Sequence, residues 1–170
     1  MSNTTVIAVW PGEKSGVLKA LRNAWGCAPV IWDYMANRYL GRGWHSAGNE
    51  LWPLADRQDI PFHRRAVLAM TYDNMIVLRA DYTRAAVCIR QYLDEYPVDE
   101  DSVNHWPAIA ELFESNPDCP AIGLWCTSVC GNPFTGEWND DTEEYEHPDW
   151  SKYWSLFEHL DGLAKTEAGL

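Results

Sequence analysis

The sequence predicts an α+β fold: a mixed or antiparallel sheet of about four strands packed by four to five helices, in the order β-α-α-β-β-α-α-β-α. Three observations carry this. Thr4 to Trp10 is a short β-branched run that ends at Pro11-Gly12. Ala66–Tyr72 and Met75–Leu78 are continuous apolar runs on either side of Asp73-Asn74. The stretches around them repeat apolar residues at helical spacing.

Taken in order, Thr4–Trp10 is the first strand. Ser15 then precedes Val17, Leu18, Leu21, Ala24 and Trp25, which share a helical face, with Gly26 as the stop. Pro29 suits a first helical position, so a second helix is expected from there to Leu40, with Ile31, Tyr34, Met35, Arg38 and Tyr39 on one side. Residues 41–62 show no period and read as loop. The runs Ala66–Tyr72 and Met75–Leu78 predict a hairpin of central strands turning at Asp73-Asn74, because unbroken apolar strands have both faces covered. Asp81 is placed to cap a helix from Tyr82 to Glu95, with Ala85, Ile89, Tyr92 and Leu93 inward. A helix from Pro107 to Glu114 is entered through Asn104, and Ala121 to Val129 is a last buried strand. Residues 131–147 are a long polar loop. Pro148 to Leu163 reads as a closing helix whose Trp150, Tyr153, Trp154, Phe157 and Leu160 form one apolar stripe facing the sheet. Nothing repeats and no composition break divides the chain, so residues 1–170 read as one domain.

The apolar fraction is 46% and the charged fraction 22%, which suits a folded globule rather than a disordered chain. No segment approaches the roughly 20 apolar residues of a membrane span. Residues 1–5 carry no basic region leading into an apolar run, and Cys27, Cys88, Cys119, Cys126 and Cys130 are odd in number and scattered. Together these predict reduced thiols in a cytoplasmic protein.

Charge is divided unevenly along the chain. Residues 1–90 carry eleven Lys/Arg against seven Asp/Glu; residues 91–170 carry two against eighteen. Between Arg90 and Lys152 there is no basic residue, and those 61 residues hold fifteen carboxylates. Solubility is served by interspersed charge and does not require such an exclusion. A single-signed field speeds encounter with an opposite surface and repels phosphates. It therefore predicts a basic protein partner and argues against direct contact with nucleic acid. The candidate partner-binding residues are Asp99, Glu100, Asp101 and Trp106, then Glu137, Trp138, Asp140, Asp141, Glu143, Glu144, Tyr145 and Glu146. The carboxylates supply the field. Trp106, Trp138 and Tyr145 supply the aromatic anchors that dominate interface energies.

No motif announces a chemistry. There is no phosphate-cradling glycine loop, no nucleophile elbow and no zinc-helix signature. The acidic stretch Asn139–Glu144 lacks the central Gly and the twelfth-position Glu of a calcium loop, and no metal or cofactor is expected. Cys27 precedes a predicted helix, where a small buried residue is the ordinary occupant.

In size and charge the chain resembles small acidic inhibitor proteins, such as immunity proteins to toxins and phage proteins that block host restriction or CRISPR nucleases. The resemblance implies a non-enzymatic module of viral or mobile-element type. Its carboxylates would occupy the nucleic-acid-facing surface of a nuclease or effector complex. Two alternatives stand beside it: a small enzyme with a pocket lined by the surplus of Trp, near His105 or Cys27, and a module that self-associates as a homodimer.

Overall fold

In a computed structural model, residues 2–96 and 101–167 are described, with side chains to 163. The fold is α+β. The elements run β1 (Asn3–Val9), β2 (Gly16–Arg22), α1 (Ala28–Leu40), α2 (Trp44–Ala47), α3 (Phe62–Ala69), β3 (Met75–Leu78), α4 (Tyr82–Glu95), α5 (Trp106–Glu114), β4 (Ala121–Trp125), β5 (Trp138–Asn139), β6 (Glu144–Tyr145), β7 (Trp154–Ser155) and α6 (Leu156–Glu167). Five strands form one mixed sheet in the order β2-β1-β4-β3-β7, antiparallel except at β3/β7, while β5 and β6 form a separate hairpin. Among the described residues no helix is long and apolar enough to cross a membrane.

The sheet is buried on both faces, and its three central strands show it residue by residue. Val6 and Ala8 of β1, Met75 and Val77 of β3, and Ile122 and Leu124 of β4 face the helices. Their neighbours Ile7, Val9, Ile76 and Ala121 face a second, smaller cluster built on Phe134, with Trp125, Trp150 and Tyr153 packed against it. The period of two puts alternate residues on opposite faces, so double burial reads as a continuous apolar run.

The cover of the second face is the irregular segment 127–153. Phe134 is fully buried and lies flat against Gly123, where a Cβ would come 2.1 Å from its ring. Tyr153 stacks on Phe134 at 5.4 Å and donates its hydroxyl to the Pro133 carbonyl at 2.8 Å. Ser15 Oγ donates to the Phe134 carbonyl at 2.6 Å, tying the cover to the β1–β2 turn.

Three sequence expectations give way to tertiary structure. Residues 16–22 are a strand, not a helix: Pro11-Gly12 turns the chain back, Gly12 at φ 71°, and β2 pairs along β1 from Asn3↔Arg22 to Ala8↔Gly16. The spacing of Val17, Leu18 and Leu21 suits a helix equally well, but β1 presents an open ladder beside them. As an edge strand β2 carries Lys19 and Arg22, which discourage further pairing. The run Ala66–Tyr72 begins in α3 and ends in a turn, with Thr71 N donating to the Leu68 carbonyl and Met75 N to Tyr72. Every residue from Arg64 to Thr71 is buried, so a helix surrounded on all sides lacks the period that would distinguish it from a strand. The predicted hairpin at Asp73-Asn74 is therefore a helix-to-strand connection. Finally, the closing helix begins at Leu156, because Trp154 N donates to the Asn74 carbonyl at 2.8 Å and the 154–155 backbone pairs with β3. The expected stripe is split. Trp150 and Tyr153 join the second face, Phe157 and Leu160 the main core, and Trp154 points to solvent.

α6 is docked by charge over rings. The Arg84 guanidinium lies 4.7 Å from the Phe62 ring and 4.5 Å from the Phe157 ring, and is bidentate to Asp161 at 2.7 and 2.8 Å. Gly123→Ala is expected to lower unfolding free energy by about 1–3 kcal/mol in urea titrations, since the added methyl displaces Phe134. Phe134→Leu in the same chain recovers part of that loss by clearing the ring. Unchanged stability for Gly123→Ala would contradict the packing.

Candidate functional site

Two features stand out on the surface: an acidic hairpin and an aromatic cleft, which meet at Asp73. The hairpin pairs Trp138 with Tyr145 and Asn139 with Glu144. Its tip, Asp140 to Glu143, is folded by the Asn139 carboxamide, whose Oδ1 accepts from Asp141 N at 2.9 Å and Thr142 N at 3.2 Å. Glu143 takes a left-handed φ of 53° to close the turn. Glu146 N donates to the Glu137 carbonyl and Gly136 N to the Glu146 carbonyl, both at 2.9 Å, extending the ladder below the named strands. Asn139 Nδ2 donates to Glu146 Oε1 at 2.6 Å, and Lys14 bonds Glu144 across from the β1–β2 turn. That lysine holds the Glu144 carboxyl below its ordinary range, chiefly through the hydrogen bond and secondly through charge.

Trp138 and Tyr145 pack edge to face at 5.1 Å, yet remain 50% and 54% exposed. Such a pair stiffens a short hairpin. It also leaves two large rings in water, flanked by Glu137, Asp140, Asp141, Glu143 and Glu146, all exposed.

The remaining sequence candidates lie elsewhere. Trp106 is a correction: it is fully buried and donates its indole N–H to the Cys27 carbonyl at 3.0 Å, so it belongs to the core and is not a surface anchor. Its apolar neighbours Ile109, Ala110 and Phe113 follow at helical spacing, which is the sequence sign of that burial. Asp101 is exposed, but it belongs to the loop beside Gly26, near the opposite end of β1 from the β1–β2 turn that Lys14 ties to the hairpin. Asp99 and Glu100 lie outside the described residues.

The fold also redistributes the charge. Among the described residues, Arg64, Arg79, Arg84, Arg90 and Lys14 of the basic half pair with Glu95, Asp118, Asp161, Glu114 and Glu144 of the acidic half. No described cation pairs with Asp140, Asp141 or Glu143. The two halves are thus sewn together, and the hairpin tip is one of the places where carboxylates stand without a described cation.

The aromatic cleft was not singled out by the sequence. Its volume is about 380 Å³, and it opens where β4 ends and β3 begins, between Trp32, Trp52, Tyr72, Asp73, Trp125, Cys126 and Cys130. A run of ring contacts extends from it: Trp52 to Trp32 at 5.4 Å, Trp32 to Trp44 at 5.1 Å, and Trp44 to Trp25 at 6.3 Å. These residues come from α1, α2, short helical turns and a strand end, so no local spacing links them. The only available signal was the surplus of Trp itself. An acidic hollow of about 570 Å³ lies beside the cleft, lined by Asp73, Asn74, Glu137, Glu146, Asp149 and Lys152.

Two groups of the cleft wall, Cys126 and Tyr72, and His105 elsewhere in the molecule, are poorly suited to nucleophilic catalysis. Cys126 is buried, and the neighbouring Cys27 thiol together with burial pushes its thiol well above the ordinary range; its Sγ–H donates to the Thr71 and Leu124 carbonyls at 3.6 Å. Burial raises the Tyr72 hydroxyl strongly, and it donates to the Trp52 carbonyl at 2.6 Å. His105 is buried and donates Nε2–H to the Asn23 carbonyl at 2.7 Å. Among the described residues no three His, Cys, Asp or Glu side chains converge to hold a metal ion. No family model, curated protein or solved structure matches the chain, so any functional reading comes from this surface chemistry.

Asp73 is the titratable group shared by the cleft and the acidic hollow; the side chain is exposed at the rim, but the walls on either side partly desolvate its carboxyl and raise it above the ordinary range. The folded state therefore keeps its proton more tightly than the unfolded chain does. Its contribution is fully present below the unfolded value and is lost as pH rises through the raised one. Asp73→Asn is expected to flatten stability against pH over that window. At neutral pH it should add at most about 0.5 kcal/mol, because the residue is solvent-exposed at the rim. A lower thermal midpoint for Asp73→Asn at pH 7 would refute the assignment.

Proposed function

We propose that this protein is a non-enzymatic binding module whose acidic hairpin docks on a basic, nucleic-acid-facing surface of a partner protein. The observation that carries the reading is the exposed Trp138–Tyr145 pair set among carboxylates that no described cation neutralises. Exposed rings are costly on a surface built only for solubility, and they are the residue types that anchor interfaces. The carboxylates accelerate encounter with a basic surface and reject acidic ones; the rings supply affinity once contact is made.

The structured turn adds to this. A hairpin braced by Lys14, Asn139 and the cross-strand ring pair presents its charges with little ordering left to do on binding. Carboxylates held in fixed positions can substitute for phosphates, which recur about every 1.7 Å along duplex DNA. A nuclease or effector complex with a nucleic-acid channel fits that chemistry, and an inhibitory role follows because the occupied channel excludes its substrate.

The test is capture from the native host at low and physiological salt, followed by mass spectrometry and by competition with duplex DNA. The expected partner is basic, released by added DNA and bound more weakly as salt rises. Asp140→Asn/Asp141→Asn/Glu143→Gln should slow association and flatten the salt dependence, and Trp138→Ala should weaken binding by roughly 30-fold or more. Binding indifferent to both variants would sink the proposal. So would a Trp138→Ala effect confined to self-association, read as a change in size-exclusion mass without loss of partner.

A further inference from the structure

The aromatic cleft carries an inference that is separate from the hairpin, and either can fail alone. We propose that the cleft walled by Trp32, Trp52, Tyr72 and Trp125, with Asp73 at its rim, binds an alkylated ammonium group of the kind found in choline or a methylated lysine side chain.

The first argument is the arrangement of the walls. Trp32 and Trp52 meet at 83° and Trp52 and Tyr72 at 89°, with centroids 5.4 and 5.5 Å apart. Near-perpendicular rings enclose a rounded group from several directions. Ring faces carry negative quadrupole potential, so a rounded cation is the complementary guest.

The second argument is where the polar atoms point. The Trp32 indole N–H donates to Thr71 Oγ1 at 2.9 Å, and Thr71 in turn donates to the Leu68 carbonyl at 2.6 Å. The Tyr72 hydroxyl is taken by the Trp52 carbonyl and the Trp125 indole N–H by the Cys130 carbonyl at 3.1 Å. Three rings are thus fixed in place before any ligand arrives, and their hydrogen-bonding atoms are already engaged with the protein. A primary ammonium has three donors to satisfy and would be poorly served here. An alkylated ammonium has few or none.

The third argument is charge. Neither Lys nor Arg lines the cleft, Asp73 stands at its edge, and the adjoining hollow sets Glu137, Glu146 and Asp149 against one lysine, Lys152, and His147, so its balance is acidic. A protein of net charge −12 concentrates cations at such a site and repels phosphates. The volume of about 380 Å³ suits a small ligand group. No described cation pairs with Asp73, so its carboxylate is left to face a bound cation, and the raised carboxyl is the group that acid would protonate first to remove that partner. Affinity for the cation therefore falls on acidification.

The test is calorimetric titration of the full chain with choline and with 3,3-dimethylbutan-1-ol, its neutral isostere of the same shape. Choline should bind saturably, and the isostere at least roughly tenfold more weakly. Asp73→Asn, an isosteric change that should leave the near-ultraviolet dichroism intact, is expected to weaken choline several-fold and leave the isostere unmoved. A trimethyl-lysine peptide and its unmodified counterpart form a second arm. A tenfold preference for the methylated peptide, with affinity above that of choline, assigns the site to a protein side chain; tighter choline assigns it to a small molecule. Equal affinity for choline and its isostere, or no saturable binding of any alkylammonium probe, would overturn the proposal.

Discussion

The contact between Phe134 and Gly123 is the constraint on which the rest of the molecule depends. A mixed sheet with helices on one side leaves its other side bare, and strands such as β3 and β4 have no polar residues to offer water there. Gly123 leaves a hollow in that face and Phe134 fills it. Once the ring is seated, Tyr153 stacks on it, Ser15 bonds its carbonyl, and the irregular segment 127–153 becomes a layer of the fold. The hairpin projects from that layer, and the end of the same β4 strand supplies Trp125 to the cleft. The hairpin and one wall of the cleft thus both depend on the layer that this aromatic-on-glycine contact seats.

Electrostatics explains how so acidic a chain folds compactly. Self-repulsion would oppose collapse if the acidic half stood alone. Instead β1, from the basic half, lies between β2 and β4, and arginines on α3, α4 and the turn after β3 reach carboxylates of the second half. The exposed pairs among them, all but Arg64–Glu95, each contribute about 0–1 kcal/mol, so their role is to relieve repulsion more than to bind. Part of what they leave over, Asp140, Asp141 and Glu143, stands at the hairpin tip. A charge pattern that looks like two halves in sequence becomes a set of cross-links between them in space.

The cleft and the hairpin also share a physical logic. Both set aromatic rings beside carboxylates, the hairpin on a convex surface and the cleft in a concave one. A convex array of rings and acids suits an extended basic surface, whereas a concave one suits a single cationic group. Asp73 belongs to both the cleft and the acidic hollow at the hairpin's base, and its carboxyl is raised by burial without a described cation to compensate. Uncompensated charge of this sort costs stability. Natural proteins commonly tolerate that cost where a ligand relieves it.

The sequence by itself determined the α+β class, the strands β1 and β3 and the helices α1, α4 and α5 almost to the residue, and the start of β4, which ends at Trp125 rather than Val129. Each rests on a local signal: β-branched runs, Pro at an entry, Gly41 in a left-handed exit at φ 68°. It also marked Trp138 and Tyr145 as rings out of place in an acidic segment. Tertiary structure decided the rest. β2 became a strand because β1 offered an open edge, α3 a helix because burial on all sides erased its period, and β7 a strand because the Asn74 carbonyl needed a donor. Trp106 lay in the core because its helix faces inward. The cleft was invisible for a simpler reason. Trp32, Trp52, Tyr72 and Trp125 are spread over nearly a hundred residues, and only the packing of α1, α3 and the sheet brings their rings within contact distance.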